Sequence, residues 1–162
     1  MDKRWIGILI ILIAGLACMY FIVDNSSTVG NAITVVGDVS IGVPPGFSIA
    51  DASATEAKLL NKDTNETILL KIIDKNPQKE FENAVKSFQN KNNAELKNLS
   101  NKTVQHIEFK NTDSGKTTSF VLFEKVNHSF MLKMDNFDNP AQKETDMMHI
   151  INTITHDFKQ NK

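Results

Sequence analysis

A long uninterrupted apolar run dominates the hydrophobic pattern at the N-terminus. Residues 6–23 contain no charged side chain, whereas residues 2–4 are all charged. As a helix, this run would be about 27 Å long, close to the roughly 30 Å hydrocarbon core of a bilayer. The next basic residue is Lys58, so the positive-inside bias favours a cytoplasmic N-terminus, residues 1–5, with the rest of the chain outside. The pattern therefore predicts a single-pass anchor, residues 6–23, in the cytoplasmic membrane.

A cleaved signal peptide, or a lipoprotein signal that uses Cys18, is the alternative for the same run. A cleavable signal has a shorter apolar core, about 7–15 residues, followed by small residues and then by polar mature chain. Cleavage after Ala17 would leave the apolar residues 18–23 at the new N-terminus, and Gly15 stands where a lipoprotein motif normally has leucine. An uncleaved anchor is therefore favoured, with Cys18 as a small apolar filler in the membrane.

The chain becomes polar after the anchor and then alternates again. Residues 24–38 are rich in Asn, Ser, Thr and Gly, a composition typical of a flexible tether, although Ile33, Val35 and Val36 also fit a first short strand. Residues 39–162 are long enough for one domain with its own core. We therefore predict an extracytoplasmic domain over residues 39–162.

Short alternating segments predict strands in the first half of this domain. Residues 39–43 alternate and then meet Pro44, Pro45 and Gly46, which are typical of a turn. Phe47 and Ile49 resume the alternation. Two further strands are predicted at residues 54–60 and 67–74, and the second is apolar on both faces, which indicates a central strand.

Two Asn-Pro pairs predict the starts of two helices, at Asn76 with Pro77 and at Asn139 with Pro140. Proline suits the first helical position, and the preceding asparagine can cap the helix. Each pair is followed by apolar residues at helical spacing, which predicts one face packed on a sheet. These residues are Phe81, Ala84, Val85 and Phe88 in the first helix, and Met147, Ile150, Ile151, Ile154 and Phe158 in the second.

The segment between the helices predicts a loop and then a meander. Residues 90–102 are polar and are predicted to form a loop. Residues 103–109, 116–126 and 129–135 alternate and are separated by turn residues, which predicts antiparallel strands. The order strands, helix, strands, helix predicts an α+β fold with one antiparallel sheet of about six strands and two packed helices.

This arrangement resembles the Mog1/PsbP-like fold, in which helices flank an antiparallel sheet. The resemblance covers about Val39 to Phe158. It rests on the strand that runs into the Pro-Pro-Gly turn, the helix after Pro77, the three-stranded meander and the terminal helix. Members of this fold mostly act as accessory or binding proteins, so the resemblance implies a role of that kind. The resemblance identifies no functional residue in this sequence.

Few residues are candidates for chemistry. A metal site could be built from Asp146, His149 and His156 if all three lay on one helix face. The helical spacing places both histidines opposite the apolar stripe, however, so we expect no metal ligands there and no cofactor. His106 on a strand and His128 in a turn are expected to be surface residues. Enzyme activity is not expected, because the sequence has no metalloprotease motif, no nucleophile elbow and no cysteine outside the predicted anchor.

Two short segments look superficially like ligand sites. Residues 114–117, Ser-Gly-Lys-Thr, match the end of a phosphate-binding loop, but the preceding glycine is missing and strands flank the segment, so we interpret it as a hairpin turn. Asp135 and Asp138 lack the glycine and distal glutamate of a calcium loop, so we interpret them as part of an Asx-rich turn.

Five asparagines occur in the Asn-x-Ser/Thr pattern of an N-glycosylation acceptor, which an exported chain could use on its surface. They are Asn25, Asn65, Asn98, Asn101 and Asn127.

The sequence favours a non-catalytic, membrane-anchored domain that binds a protein or a component of the cell envelope. The net charge of −1 gives no electrostatic footprint for nucleic acid. The alternative is a small-ligand sensor or accessory subunit with a pocket between the sheet and the terminal helix. Phe120, Phe130 and Met147 are the residues expected to line that pocket.

Overall fold

The computed structural model of the chain describes residues 33–90 and 94–156. No helix within these ranges is long and apolar enough to cross a membrane. The predicted anchor, residues 6–23, lies outside the described residues, as does Asn25. The anchor and the predicted membrane location therefore stay predictions.

Strands and two helices follow one another in the predicted order, which confirms the α+β class. Among the described residues, five strands precede the first helix, four lie between the two helices, and a short tenth strand follows the second. The elements are β1 (Ile33–Val36), β2 (Val39–Gly42), β3 (Ser48–Ala52), β4 (Glu56–Leu60), β5 (Thr67–Ile73), α1 (Pro77–Gln89), β6 (Ala94–Asn98), β7 (Val104–Asn111), β8 (Thr117–Lys125), β9 (His128–Phe137), α2 (Pro140–Thr153) and β10 (Thr155–His156).

The strands form two antiparallel sheets, whereas the sequence predicted one sheet of about six strands. Seven strands pair in the order β3-β4-β5-β9-β8-β7-β6, and β1, β2 and β10 form a separate three-stranded sheet. The meander of β7, β8 and β9 is confirmed as a run of antiparallel neighbours. Strand β5, predicted to be central, pairs with β4 on one side and β9 on the other.

The seven-stranded sheet is buried on both faces at its centre, whereas its outermost strands are mostly exposed. In β8, Val121 and Phe123 belong to one core cluster, and the alternate residues Phe120 and Leu122 belong to another. The first cluster includes residues of β2 and α2, so the small sheet and the terminal helix cover that face. The second includes Phe81 of α1, so the first helix covers the opposite face. We call these the α2 face and the α1 face.

The two Asn-Pro pairs both start helices but differ in capping. The Asn139 side chain accepts hydrogen bonds from the backbone N–H groups of Ala141 and Gln142 at 3.0 and 3.2 Å, as predicted. Asn76 makes no such bond, because its backbone is left-handed, with φ +51°. At the first helix the proline alone carries out the predicted role.

The terminal helix ends before the last two residues of the predicted apolar stripe, Ile154 and Phe158. It ends at Thr153, Ile154 is extended, and the next two residues form β10 beside β2. The hydroxyl of Thr153 accepts a bond of 3.0 Å from the N–H of Gly42 in β2, where a Cβ would lie within 3 Å of the threonine. Ile154 is buried although it is no longer helical, so its place in the apolar stripe correctly predicted burial but not conformation. Phe158 lies outside the described residues.

Residues 33–36, for which a tether and a short strand were both considered, and part of the predicted loop 90–102 are strands. Strand β1 pairs with β2 and Val36 is fully buried, so the strand alternative is confirmed for these four residues. Within the predicted loop 90–102, β6 pairs with β7 along its length. Strand β6 is at a sheet edge and its residues are mostly exposed, so it carries no buried apolar pattern for the sequence to display.

Candidate functional site

A groove of about 520 Å³ lies between the terminal helix and the β6–β7 hairpin, on the α2 face. We call it the helix–sheet groove. Strand residues two apart and helix residues four apart supply its walls, because these spacings return side chains to the same face. The hairpin contributes Lys97, Leu99, Val104, His106 and Glu108, and α2 contributes Pro140, Lys143, Glu144, Met147, Met148 and Ile151.

A buried ion pair forms the floor of the groove. The Lys143 ammonium donates hydrogen bonds to a Glu108 carboxylate oxygen and, at 3.1 Å, to the Thr117 hydroxyl. The side chains of Lys143 and Glu108 are 5% and 17% exposed. Removing two charges from water is expensive unless each meets its partner. The pair therefore ties α2 to the sheet through electrostatics as well as apolar packing.

His106 lies beside this ion pair and is partly buried, whereas the sequence predicted a surface residue. Its Nε2 is 3.2 Å from the Ser119 hydroxyl. Burial lowers the pKa of His106, the neighbouring Lys143 ammonium lowers it further, and Glu108 opposes both. Ser119 is fully buried, so no substrate can reach its hydroxyl, and the two residues are not placed as a base and a nucleophile.

Asp146 is buried on the same helix, at 1% exposure. One carboxylate oxygen accepts a bond of 2.9 Å from the Gln142 side chain, and the other has no hydrogen-bond partner. Burial raises the pKa of Asp146, the bond from Gln142 opposes this, and the nearby Glu66 carboxylate raises the pKa further. The helix thus buries two ionisable side chains, and only Lys143 is neutralised by a partner.

The metal ligands considered from the sequence do not come together on one helix face. Asp146 and His149 belong to α2, but His156 follows the end of the helix and lies in β10. His156 and His128 instead flank Asp38 in the β1–β2 turn, with nitrogen–oxygen distances of 3.8 and 3.1 Å. Within residues 33–90 and 94–156, no group of three His, Cys, Asp or Glu side chains is arranged to hold a metal ion.

The structure does not bring together the three residues expected to line a pocket. Met147 lines the helix–sheet groove. Phe130 is on the same face of the sheet but is fully buried, in contact with Phe123, and does not line the groove. Phe120 points to the α1 face, where it packs against Phe88 and Phe109. The alternation predicted for β8 and β9 is present in the structure. Which residues face α1 and which face α2 depends on how the two strands pair.

The turn and modification sites lie on the surface. Residues 114–116 lie in the turn between β7 and β8, where the Asn111 side chain accepts bonds from the N–H groups of Asp113 and Ser114, and Gly115 has φ +73°. Thr117 is instead the first residue of β8 and is buried. Asp135 lies inside β9, not in a turn, and pairs with Lys133. The four described glycosylation candidates, Asn65, Asn98, Asn101 and Asn127, are all exposed.

Sequence reasoning missed the ion pair, although a signal was present. Lys143 precedes Met147 and Ile151 by one and two turns, so it belongs to the same side of the helix as two apolar groove residues. A charged residue in such a stripe indicates a buried partner. Glu108 was a candidate for this partner because it lies on the same face of its strand as Val104 and His106. Only the fold brings this strand and the helix together.

Comparison with known proteins gives no family for this chain. No protein-family model matches it, and no curated protein matches it significantly. Among solved structures, it is similar to a protein from Bacteroides thetaiotaomicron VPI-5482, solved as a crystal structure at 1.50 Å resolution, with 14% identity and a TM-score of 0.48. The match covers 82% of this chain and 50% of that one, so the chain spans half the length of the matched protein.

Proposed function

We propose that this protein is a non-catalytic binding domain, held at the outer face of the cytoplasmic membrane by its N-terminal segment, and that its helix–sheet groove takes a small amphipathic ligand. One observation carries the proposal: a concave site of about 520 Å³ combines apolar walls with a polar floor. Small-ligand sites typically measure about 300–1,000 Å³ and have this mixed lining.

The apolar walls leave large side chains in contact with water. Leu99 is 38% exposed and Met148 is 43% exposed, and both line the groove. Val104, Met147 and Ile151 continue the apolar surface between them. Covering such surface is favourable by roughly 25 cal/mol per Å². A ligand with an apolar body would therefore be stabilised along this wall.

The charges of the groove balance. Lys143 is paired with Glu108 on the floor, and Lys97 and Glu144 have opposite charges on the walls. Burial and the Lys143 ammonium both favour neutral His106. A groove without net charge favours a ligand without net charge, oriented by hydrogen bonds to the floor. The ligand class proposed is therefore a neutral amphiphile.

A protein or envelope partner, favoured by the sequence, stays a prediction. The other large apolar side chains that are well exposed in the described part of the chain are Val35, Ile49 and Leu96. They lie on three different strands, which is unlike the contiguous apolar patch of a typical protein-binding surface. The Mog1/PsbP-like resemblance also stays a proposal, and an accessory or binding role would agree with it.

Photolabelling in membranes tests this function. The probe is a neutral monoacylglycerol that carries a diazirine in its acyl chain, added to membranes that contain the full chain. We expect labelled peptides to include Met147 or Met148, and excess unlabelled monoacylglycerol to reduce that labelling at least fivefold. Labelling spread evenly over the domain, or unaffected by the competitor, would contradict the proposal.

The chain offers a matched pair of variants for this experiment. Leu99 and Leu96 lie three residues apart and are 38% and 46% exposed, but only Leu99 lines the groove. We expect Leu99→Gln to reduce labelling at least fivefold and Leu96→Gln to leave it within twofold of the unmodified protein. Equal effects of the two substitutions would place the ligand elsewhere.

A further inference from the structure

The two edges of the seven-stranded sheet differ in how they meet solvent. Strands β3 and β6 are its outermost strands. Strand β3 has a register shift between Ile49 and Asp51, where it pairs with β4, and such bulges protect an edge from pairing with another chain. Strand β6 pairs with β7 in unbroken register from Ala94 to Asn98. Of the two outermost strands of this sheet, β6 thus presents the regular edge.

One hydrogen bond determines which backbone N–H and C=O groups of β6 face the open side of the sheet. The N–H of Leu99 donates to the carbonyl of His106 in β7, at 2.8 Å. Because residues of an antiparallel strand alternate between inward and outward backbone groups, Lys97 and Glu95 also point their N–H and C=O towards β7. The N–H and C=O of Leu96, Ala94 and Asn98 therefore point away from the sheet, to the open side.

The side chains of β6 are self-complementary about Leu96. If two copies pair antiparallel with Leu96 opposite Leu96, then Glu95 lies opposite Lys97 of the second copy, and Lys97 lies opposite its Glu95. Opposite charges directly across two strands stabilise the pair. In this register Leu96 and Leu96 of the second copy form a hydrogen-bonded pair, as their outward backbone groups require. Leu96 is 46% exposed, and the second leucine would cover it.

We infer that a second copy of this chain pairs with β6 through its edge, antiparallel and centred on Leu96, so that the two seven-stranded sheets become continuous. The contact is isologous, the commonest kind in homo-oligomers. Glu95 and Lys97 are the residues that would otherwise protect an edge by charge, but against a second copy their charges attract. Lys97 also lines the helix–sheet groove, so the grooves of the two copies lie on the same face of the joined sheet.

A disulfide trap tests the register. The protein used is the full chain with Cys18→Ser, carrying Leu96→Cys or Asn98→Cys, oxidised in the cell fraction that contains it. In the proposed register the Cα atoms of the two copies of residue 96 are about 5.5 Å apart, within the range of a disulfide. The two copies of residue 98 are offset by four residues, about 14 Å. Both positions are exposed, on one strand and on one face, so Asn98→Cys controls for random collision.

We expect the Leu96→Cys chain to form a disulfide-linked dimer at least fivefold more than the Asn98→Cys chain. Equal yields would overturn the inference. A cross-link from Leu96→Cys to another protein, in place of a dimer, would also overturn it, because the occupant of the edge would then not be a second copy.

A charge exchange distinguishes pairing between copies from pairing within one chain. In the Leu96→Cys chain, K97E places like charges opposite each other in the dimer, so we expect at least a fivefold loss of cross-linking. The double change E95K/K97E restores opposite charges between copies but leaves like charges facing Lys110 and Glu108 of β7 within each chain. Recovery to within twofold supports the inference, and a yield no better than that of K97E refutes it. Circular dichroism checks that each variant is folded.

Discussion

The ion pair between Glu108 and Lys143 gives a quantitative test of how the terminal helix is held. Replacing Glu108 by Leu leaves a buried ammonium whose described partner is the Thr117 hydroxyl, so we expect a loss of about 3–5 kcal/mol in the free energy of unfolding. Replacing Lys143 by Met leaves a carboxylate that is 17% exposed and can still reach water, so a smaller loss of about 1–2 kcal/mol is expected. The double variant E108L/K143M removes both charges and is expected within about 1 kcal/mol of the unmodified protein.

These values imply a coupling free energy of about 3 kcal/mol or more between E108L and K143M. Urea unfolding followed by circular dichroism would measure it. The exposed pair of Lys116 and Asp138, separated by 3.5 Å with side-chain exposures of 31% and 68%, is the control and should couple by less than about 1 kcal/mol. High salt should weaken the control but not the buried pair. Additive losses in E108L and K143M would refute the reasoning, because they would mean that the two charges do not compensate each other.

Three further predictions follow from the same region. Because burial and Lys143 lower the pKa of His106, the folded state binds fewer protons than the unfolded state below about pH 6.5. Stability should therefore fall as pH decreases from that value, and NMR titration should show the pKa of His106 rising in K143M. The opposite applies to Asp146, whose pKa is raised by burial. The free energy of unfolding of D146N minus that of the unmodified protein should therefore increase between pH 4 and 7. A decrease of this difference over the same range would contradict the assignment. Finally, Ile150 is fully buried whereas its neighbour Ile151 lines the groove, so urea unfolding should show a loss of about 2–5 kcal/mol for Ile150→Ala and a clearly smaller loss for Ile151→Ala.

Local patterns predicted the elements that bury one face, and they failed where burial depends on distant partners. The helix starts at Pro77 and Pro140 and the meander of β7, β8 and β9 were recovered, because capping, helical spacing and alternation are local properties. Strand β6 was missed since an exposed edge needs no apolar alternation. At β1 the sequence left a tether and a short strand open, because Gly and Asn favour a flexible segment whereas Ile33, Val35 and Val36 fit a strand. Val36 is fully buried, which only its packing against other elements could show.

The groove could be anticipated in position but not in lining. A space between the sheet and the terminal helix was predicted, and Met147 is part of it. The faces of Phe120 and Phe130 could not be assigned from alternation, because alternation fixes only which residues share a face and not which element covers it. The ion pair was missed for the same reason, since Glu108 and Lys143 are separated by 35 positions and meet only in the fold.

The ion pair of Glu108 and Lys143 on the groove floor has two possible roles, to hold α2 on the sheet or to orient a ligand. Buried ion pairs are often no more stabilising than apolar residues of similar volume, so stability by itself does not require Glu108 and Lys143 at these positions. If the pair serves only to hold α2, then E108L/K143M should unfold like the unmodified protein and still be labelled by the monoacylglycerol probe. If the pair orients a ligand, the same variant should keep its stability and lose labelling at the groove. The double variant therefore distinguishes a structural role from a binding role, because its free energy of unfolding and its labelling are measured on the same folded protein.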